Sequence, residues 1–240
     1  MIEQLPDQRD VEVILVLANL TLGFLAFYFV PKSKRIRIRI ESGYGTEKSL
    51  GILVLFRRLC GFVFLGIIPA LVTWAGSGGN LLKYGFGGGN LQESIFWTGI
   101  LSVIIIVLNV FNARKPSNLA VYPEIRIRRW SSRLLVISSI SWVVYLIAYE
   151  SLFRGLFLFT FEAWFGPVIA IAINVSIYSL THIYKGIKEA AGAIPFGILI
   201  CWVTLQTGNI WSAVAVHIVM ALSNEYLSLY FHPEISVKKR

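Results

Sequence analysis

Among the polar side chains that interrupt the apolar C-terminal half of this 240-residue chain, five could do chemistry together: Glu150, Arg154, His182, His217 and Asn224. The first two stand in Tyr149-Glu150-Ser151-Leu152-Phe153-Arg154-Gly155, directly after the apolar run Leu134–Tyr149. A charged side chain at bilayer depth costs about 2.5–3.5 kcal/mol on insertion scales, so it needs a partner, a wet cavity or a function. Glu150 and Arg154 are four residues apart and share one face of a helix. Such a pair either neutralises itself and fixes packing, or serves chemistry, with the guanidinium keeping a general-base carboxylate ionised. His182 closes Tyr178-Ser-Leu-Thr-His182 near the end of its apolar run. His217 and Asn224 are seven residues apart, one above the other on a single helical stripe. Neutral imidazole and amide groups can donate to a developing oxyanion. A glutamate and a histidine together can hold and deprotonate a water. That combination suits hydrolysis of a peptide bond inside a membrane.

The elements that position these groups are spans. The chain is 56% hydrophobic and 15% charged, with a mean hydropathy of +0.69, where soluble domains carry roughly 25% charged residues. A crossing needs about 20 apolar residues. Seven stretches fit, at roughly 11–30, 52–74, 94–112, 134–163, 167–184, 189–206 and 210–231. The fourth is long for one crossing and must tilt, kink or continue into a short re-entrant helix. The predicted fold is therefore all-α, a polytopic bundle of about seven to eight helices. The first run, Val13–Val30, lacks a basic leader and reads as a true span rather than a signal peptide. The division expected is 1–130 for N-terminal spans with basic loops and 131–240 for the core carrying the site. Cys60 and Cys201 lie in apolar runs with neither metal nor disulfide spacing and read as packing residues.

Net charge is +9, but the cations cluster between spans, which favours membrane topology over nucleic acid as their explanation. Segments 31–50 and 113–133, Lys185 with Lys188, and Lys238–Arg240 fall on one side; the acidic N-terminus and the Gly-rich loop Gly76–Asn90 fall on the other. The N-terminus is expected outside and the C-terminus in the cytoplasm, with anionic lipid headgroups beside the basic loops. Arg35-Ile-Arg-Ile-Arg-Ile40 and Glu124-Ile-Arg-Ile-Arg128 alternate with period two and predict a short sheet pairing the two loops. Pro167 and Pro195 read as helix starts and Pro69 as a kink. The Gly-rich loop lacks a Lys-Ser/Thr signature and reads as a turn rather than a phosphate cradle.

The order Glu-x-x-x-Arg-Gly, aromatic-x-x-x-His, a Thr-Gly-Asn-Ile-Trp turn and a helix with His resembles the CPBP family of intramembrane proteases. That family includes eukaryotic type II CaaX prenyl endopeptidases and bacterial bacteriocin-processing or self-immunity proteins. The resemblance covers roughly 140–225. The family's first motif has two adjacent glutamates before the arginine; Glu150 and Arg154 match the second glutamate and the arginine, and Tyr149 replaces the first. Tyr178 and His182 match the second motif. His217 matches the last, with Ala221 where the family has Asn or Asp and Asn224 one turn further on. The resemblance implies a water activated by glutamate and the first histidine, and an oxyanion site from the last histidine and asparagine. It also implies a possible divalent metal, zinc, for which Glu150, His182 and His217 are candidate ligands, although no HExxH helix is present.

Two readings stand: an intramembrane peptidase acting without a covalent intermediate on a peptide or protein substrate, or an inactive relative that scaffolds a membrane-protein partner. A transporter using Glu150 is weaker, since no inverted repeat is visible. The expected setting is the bilayer of a bacterial inner membrane.

Overall fold

A computed structural model describes residues 7–237. The basic run Lys238–Arg240 and the first six residues lie outside the described residues. Seven helices are long and apolar enough to cross a membrane: α1 (Gln8–Lys32), α3 (Thr46–Gly76), α4 (Leu91–Asn112), α5 (Ser132–Phe165), α6 (Pro167–Lys185), α7 (Ile187–Thr207) and α8 (Trp211–Phe231). Between the first two lies α2 (Lys34–Tyr44). The bundle is all-α, as the hydropathy pattern predicts, and the chain is a multi-pass integral membrane protein.

The fourth span is continuous. At about 1.5 Å per residue its 34 residues outrun a hydrocarbon core of about 30 Å. Its α-helical course is interrupted by a π-helical turn over Ser151–Phe157. A second π turn, Val63–Ile67, precedes Pro69 in α3, and the proline stands at the start of the α-helical part that follows. α3 and α5 meet through small residues. A Cβ on Gly66 would stand 2.5 Å from that of Ala148, and one on Gly61 would strike the Tyr145 ring. Without a hydrophobic force between helices in lipid, such close backbone approach is what dispersion requires.

The predicted sheet between the basic loops does not form. Residues 34–44 are helical: Ile36 and Ile40 are half-buried on one face, and Arg37 pairs with Glu41 at 2.7 Å. Residues 124–128 are irregular, because their side chains are used elsewhere. Ile125 is fully buried beside Trp130, Leu229 and Ile235, and Glu124 meets Arg57 and Arg58. With its intended partner engaged, the first segment satisfies its backbone internally as a helix. The strand pairing observed among the described residues is a parallel one, β1 (Arg129–Trp130) with β2 (Ser236–Val237). Pro167 does start a helix. Pro195 does not: α7 begins at Ile187, after Gly186 in the left-handed region (φ 104°), and the proline lies inside it. Proline is tolerated within membrane helices where neighbours and local adjustments satisfy the freed carbonyl.

Candidate active site

The π turn of α5 builds the site. Widening the helix there frees backbone carbonyls, and Asn174 of α6 answers one by donating from Nδ2 to the Phe153 carbonyl at 2.8 Å. The Asn174 Oδ1 accepts from Cys201 Sγ of α7 at 3.3 Å. Three helices are thus tied at one level. Cys201, read from the sequence as packing, also carries a hydrogen bond; Cys60 is buried, and both are free.

Glu150 and Arg154 flank this level with no exposure at all. Glu150 Oε2 lies 3.4 Å from Arg154 Nε, and Glu150 Oε1 lies 2.5 Å from Nδ1 of His217 on α8. The guanidinium makes no hydrogen bond among the described residues; it sits 4.2 Å from the centroid of the Tyr178 ring, a cation–π contact. One carboxylate therefore joins a guanidinium on its own helix to an imidazole on another.

His182 ends the regular part of α6. Its Nδ1 contacts the Tyr178 carbonyl at 2.8 Å. A carbonyl only accepts, so Nδ1 carries the hydrogen, and a neutral ring keeps a lone pair on Nε2. His217 Nδ1 meets the Glu150 carboxylate, and a neutral ring that donates there likewise keeps its lone pair on Nε2. Between the two imidazoles stands Tyr149, edge-on to both, with ring centroids 6.4 Å from His182 and 5.8 Å from His217. Its hydroxyl is 3.3 Å from Thr181 Oγ1.

Tyr149, His182, His217 and Asn224 line one cavity of about 200 Å³. Phe24, Trp142, Tyr145 and Leu146 add aromatic and aliphatic surface to its lining, and Asn109, Asn112, Tyr122 and Lys185 add polar groups. The structure thus brings His182, His217 and Asn224 together. Glu150 and Arg154 do not line the cavity; Glu150 reaches it through His217. The expected juxtaposition of Glu150 with His182 is not the one observed, because α5 turns Tyr149 to the cavity and Glu150 to α8. Asn224 is one helical turn beyond Ala221, and both line the cavity. No group of three His, Cys, Asp or Glu side chains with metal-holding geometry occurs among the described residues. The zinc set Glu150, His182 and His217 does not assemble as such.

Sequence reasoning missed a second charged centre. Arg58, 2% exposed, binds Glu124 Oε2 at 3.0 Å, Ser138 Oγ at 3.0 Å and Ser141 Oγ at 2.8 Å. It also lies 3.7 Å from Glu225 Oε1 and 4.0 Å from the Trp142 ring centroid. Glu124 bridges onward to Arg57 at 2.8 Å. The signal was present as Arg57-Arg58 inside an apolar run, and it merited the attention given to Glu150.

A polytopic α-helical membrane protein with a carboxylate–imidazole pair behind a polar cavity is the class that fold and site define. Residues 130–223 match the family model described as Type II CAAX prenyl endopeptidase Rce1-like, in agreement with the motif resemblance. No curated protein and no solved structure matches the chain.

Proposed function

We propose that the protein is an intramembrane endopeptidase that splits a peptide bond with a water activated by the Glu150–His217 pair. The contact from Glu150 Oε1 to His217 Nδ1 carries this reading. It fixes the imidazole tautomer with Nε2 as acceptor and answers the charge that forms when Nε2 takes a proton. Arg154 keeps the carboxylate ionised. The water oxygen attacks the carbonyl carbon while its proton moves to His217 Nε2. The same proton passes to the departing nitrogen as the C–N bond breaks, and no covalent enzyme intermediate forms. His182 Nε2, the second acceptor on the cavity, helps hold the water. No step is routed through a metal.

The matched family points to a prenylated CAAX peptide as the first substrate to try. In this reading the basic loops face the cytoplasm and the N-terminus lies outside. The alternative, an inactive relative that scaffolds a membrane complex, is favoured by one observation: Tyr149 fills the cavity position where the family has its first glutamate. Purified protein in detergent should cleave a prenylated CAAX peptide or its unprenylated counterpart. His217→Ala and Glu150→Gln should each lose about 10²–10⁴-fold in turnover. Equal product from wild type and His217→Ala would overturn the peptidase reading and leave the scaffold.

A further inference from the structure

We infer that Tyr149 is a catalytic residue of this site: its phenol supplies the hydrogen bond that stabilises the oxyanion, the role the family resemblance gives to the last histidine and asparagine. The inference rests on the hydrolytic reading above and follows from counting hydrogens around the cavity. A tetrahedral intermediate needs donors aimed at its oxygen. His182 has given its Nδ1 hydrogen to the Tyr178 carbonyl. His217 engages Glu150 through its own Nδ1. In their neutral forms both rings present the cavity with an acceptor. Two acceptors suit holding and deprotonating water; neither can stabilise an oxyanion before a proton has moved.

The donors must be found elsewhere on the wall. Asn109 is spent, since its Nδ2 donates to the Met220 carbonyl at 2.9 Å and to Ser223 Oγ at 2.8 Å. Lys185 lines both this cavity and a smaller, neighbouring one with Arg57, Glu124 and Tyr184. Asn224 keeps its amide hydrogens: its side-chain hydrogen bond among the described residues is through Oδ1, which accepts from Ser228 Oγ at 3.4 Å. Lys185, Tyr122, Tyr145 and Trp142 Nε1 also stand on the wall; Tyr149 is the donor in edge contact with both imidazoles.

The direction of its hydrogen is fixed. Thr181 Oγ1 donates its single hydrogen to the Tyr178 carbonyl at 2.8 Å. It can only accept from Tyr149, so the phenol is the donor of the 3.3 Å contact. That contact is long for an O–H donor, whose bonds cluster near 2.7–2.8 Å. An anionic oxygen is a stronger acceptor than a threonine hydroxyl, so the phenol exchanges one for the other as charge develops. The ring cannot swing far, being packed against Phe153 at 4.8 Å and Tyr178 at 6.0 Å between centroids. The donor is therefore preorganised. The replacement of the family's first glutamate by Tyr149 moves the base role to His217 and converts this position from acceptor to donor.

The test is steady-state cleavage of the same prenylated and unprenylated CAAX peptides by wild type, Tyr149→Phe and Thr181→Val. Tyr149→Phe keeps every ring contact and should melt with wild type, yet lose about 10²–10³-fold in kcat with KM within about threefold. Thr181→Val removes the resting acceptor together with its bond to the Tyr178 carbonyl, and a kcat loss as large as that of Tyr149→Phe would assign the effect to this turn and overturn the inference. Wild-type turnover matched by Tyr149→Phe overturns this inference and leaves the His217 mechanism standing. An inactive wild type overturns both. A Tyr149→Phe loss confined to KM also overturns the inference, since it assigns the hydroxyl to ground-state binding.

Discussion

Replacing Arg154 by Met should be among the most destabilising single changes available, and replacing Glu150 as well should restore much of the loss. The side chains are both fully buried and 3.4 Å apart. Removing one partner of a buried pair costs about 3–5 kcal/mol, because the other charge is left uncompensated, whereas replacing both by neutral groups is often close to neutral. In Arg154→Met the Glu150 carboxylate keeps only His217. It must either draw a proton onto that imidazole or be neutralised, and either change spoils the pair. The loss of the cation–π contact to Tyr178 adds about 1–2 kcal/mol in a desolvated setting. The double variant Glu150→Gln/Arg154→Met retains side-chain volume and removes both charges, so its cost should fall to about 1–2 kcal/mol. The assay is reversible unfolding in mixed detergent and dodecyl sulfate micelles, followed by far-ultraviolet circular dichroism, on wild type, both singles and the double. A single variant within about 1 kcal/mol of wild type would refute the electrostatic account. So would a double variant no more stable than Arg154→Met, which would assign the cost to packing alone.

Two further outcomes follow from groups outside the catalytic reading. Glu124, in the loop before α5, loses solvation on burial, which by itself raises a carboxyl, but Arg57, Arg58 and Lys185 overcome this and hold it at about 2. A depressed carboxyl contributes stability that is present above its ordinary value of 4.5 and lost as pH falls toward 2. Unfolding free energy should therefore drop by about 3 kcal/mol over that acid window, and Glu124→Gln should flatten the drop; an unchanged pH slope would exclude the Arg57–Glu124–Arg58 bridge as its source. Asn174→Leu deprives the Phe153 carbonyl of its donor inside the π turn. It should cost about 1–3 kcal/mol and lower turnover of the same peptides by shifting α5, whereas wild-type stability would mean that the turn needs no such support.

The spans were legible because hydropathy at bilayer scale is a coarse signal that tertiary context hardly alters. Each of the seven sequence ranges falls within or close to an observed helix. Alternation in the basic loops was misleading for the opposite reason. Arg and Ile at every second position fit a strand, but the same residues give a helix with Ile36 and Ile40 on one face and Arg35 and Arg39 on the next. Which of the two forms depends on whether a partner strand is free. Ile125 buries itself under Trp130 and Glu124 is drawn to Arg58, so no partner was free. Proline at 195 misled similarly, because the boundary of α7 is set by a positive-φ glycine eight residues upstream of Ile194.

The five site residues were legible as a set, since each is costly in lipid, but their connections were not. Spacing shows that Glu150 and Arg154 share a face. It does not show which neighbouring helix that face meets. A rotation of α5 by one residue, about 100°, would exchange Tyr149 for Glu150 at the cavity and recreate the juxtaposition with His182. The π turn beginning at Ser151 sets that rotation, and nothing in Ser151-Leu-Phe-Arg-Gly-Leu-Phe157 announces an extra residue in the turn. Its support comes from Asn174, twenty-one residues after Phe153, and from Cys201, in separate helices. Local pattern can therefore nominate the acid, the base and the amide. Their protonation roles depend on which carbonyl, carboxylate or hydroxyl the fold places behind each of them: a carbonyl behind His182 and a carboxylate behind His217 make both rings acceptors, and a threonine already committed to Tyr178 makes the phenol of Tyr149 a donor.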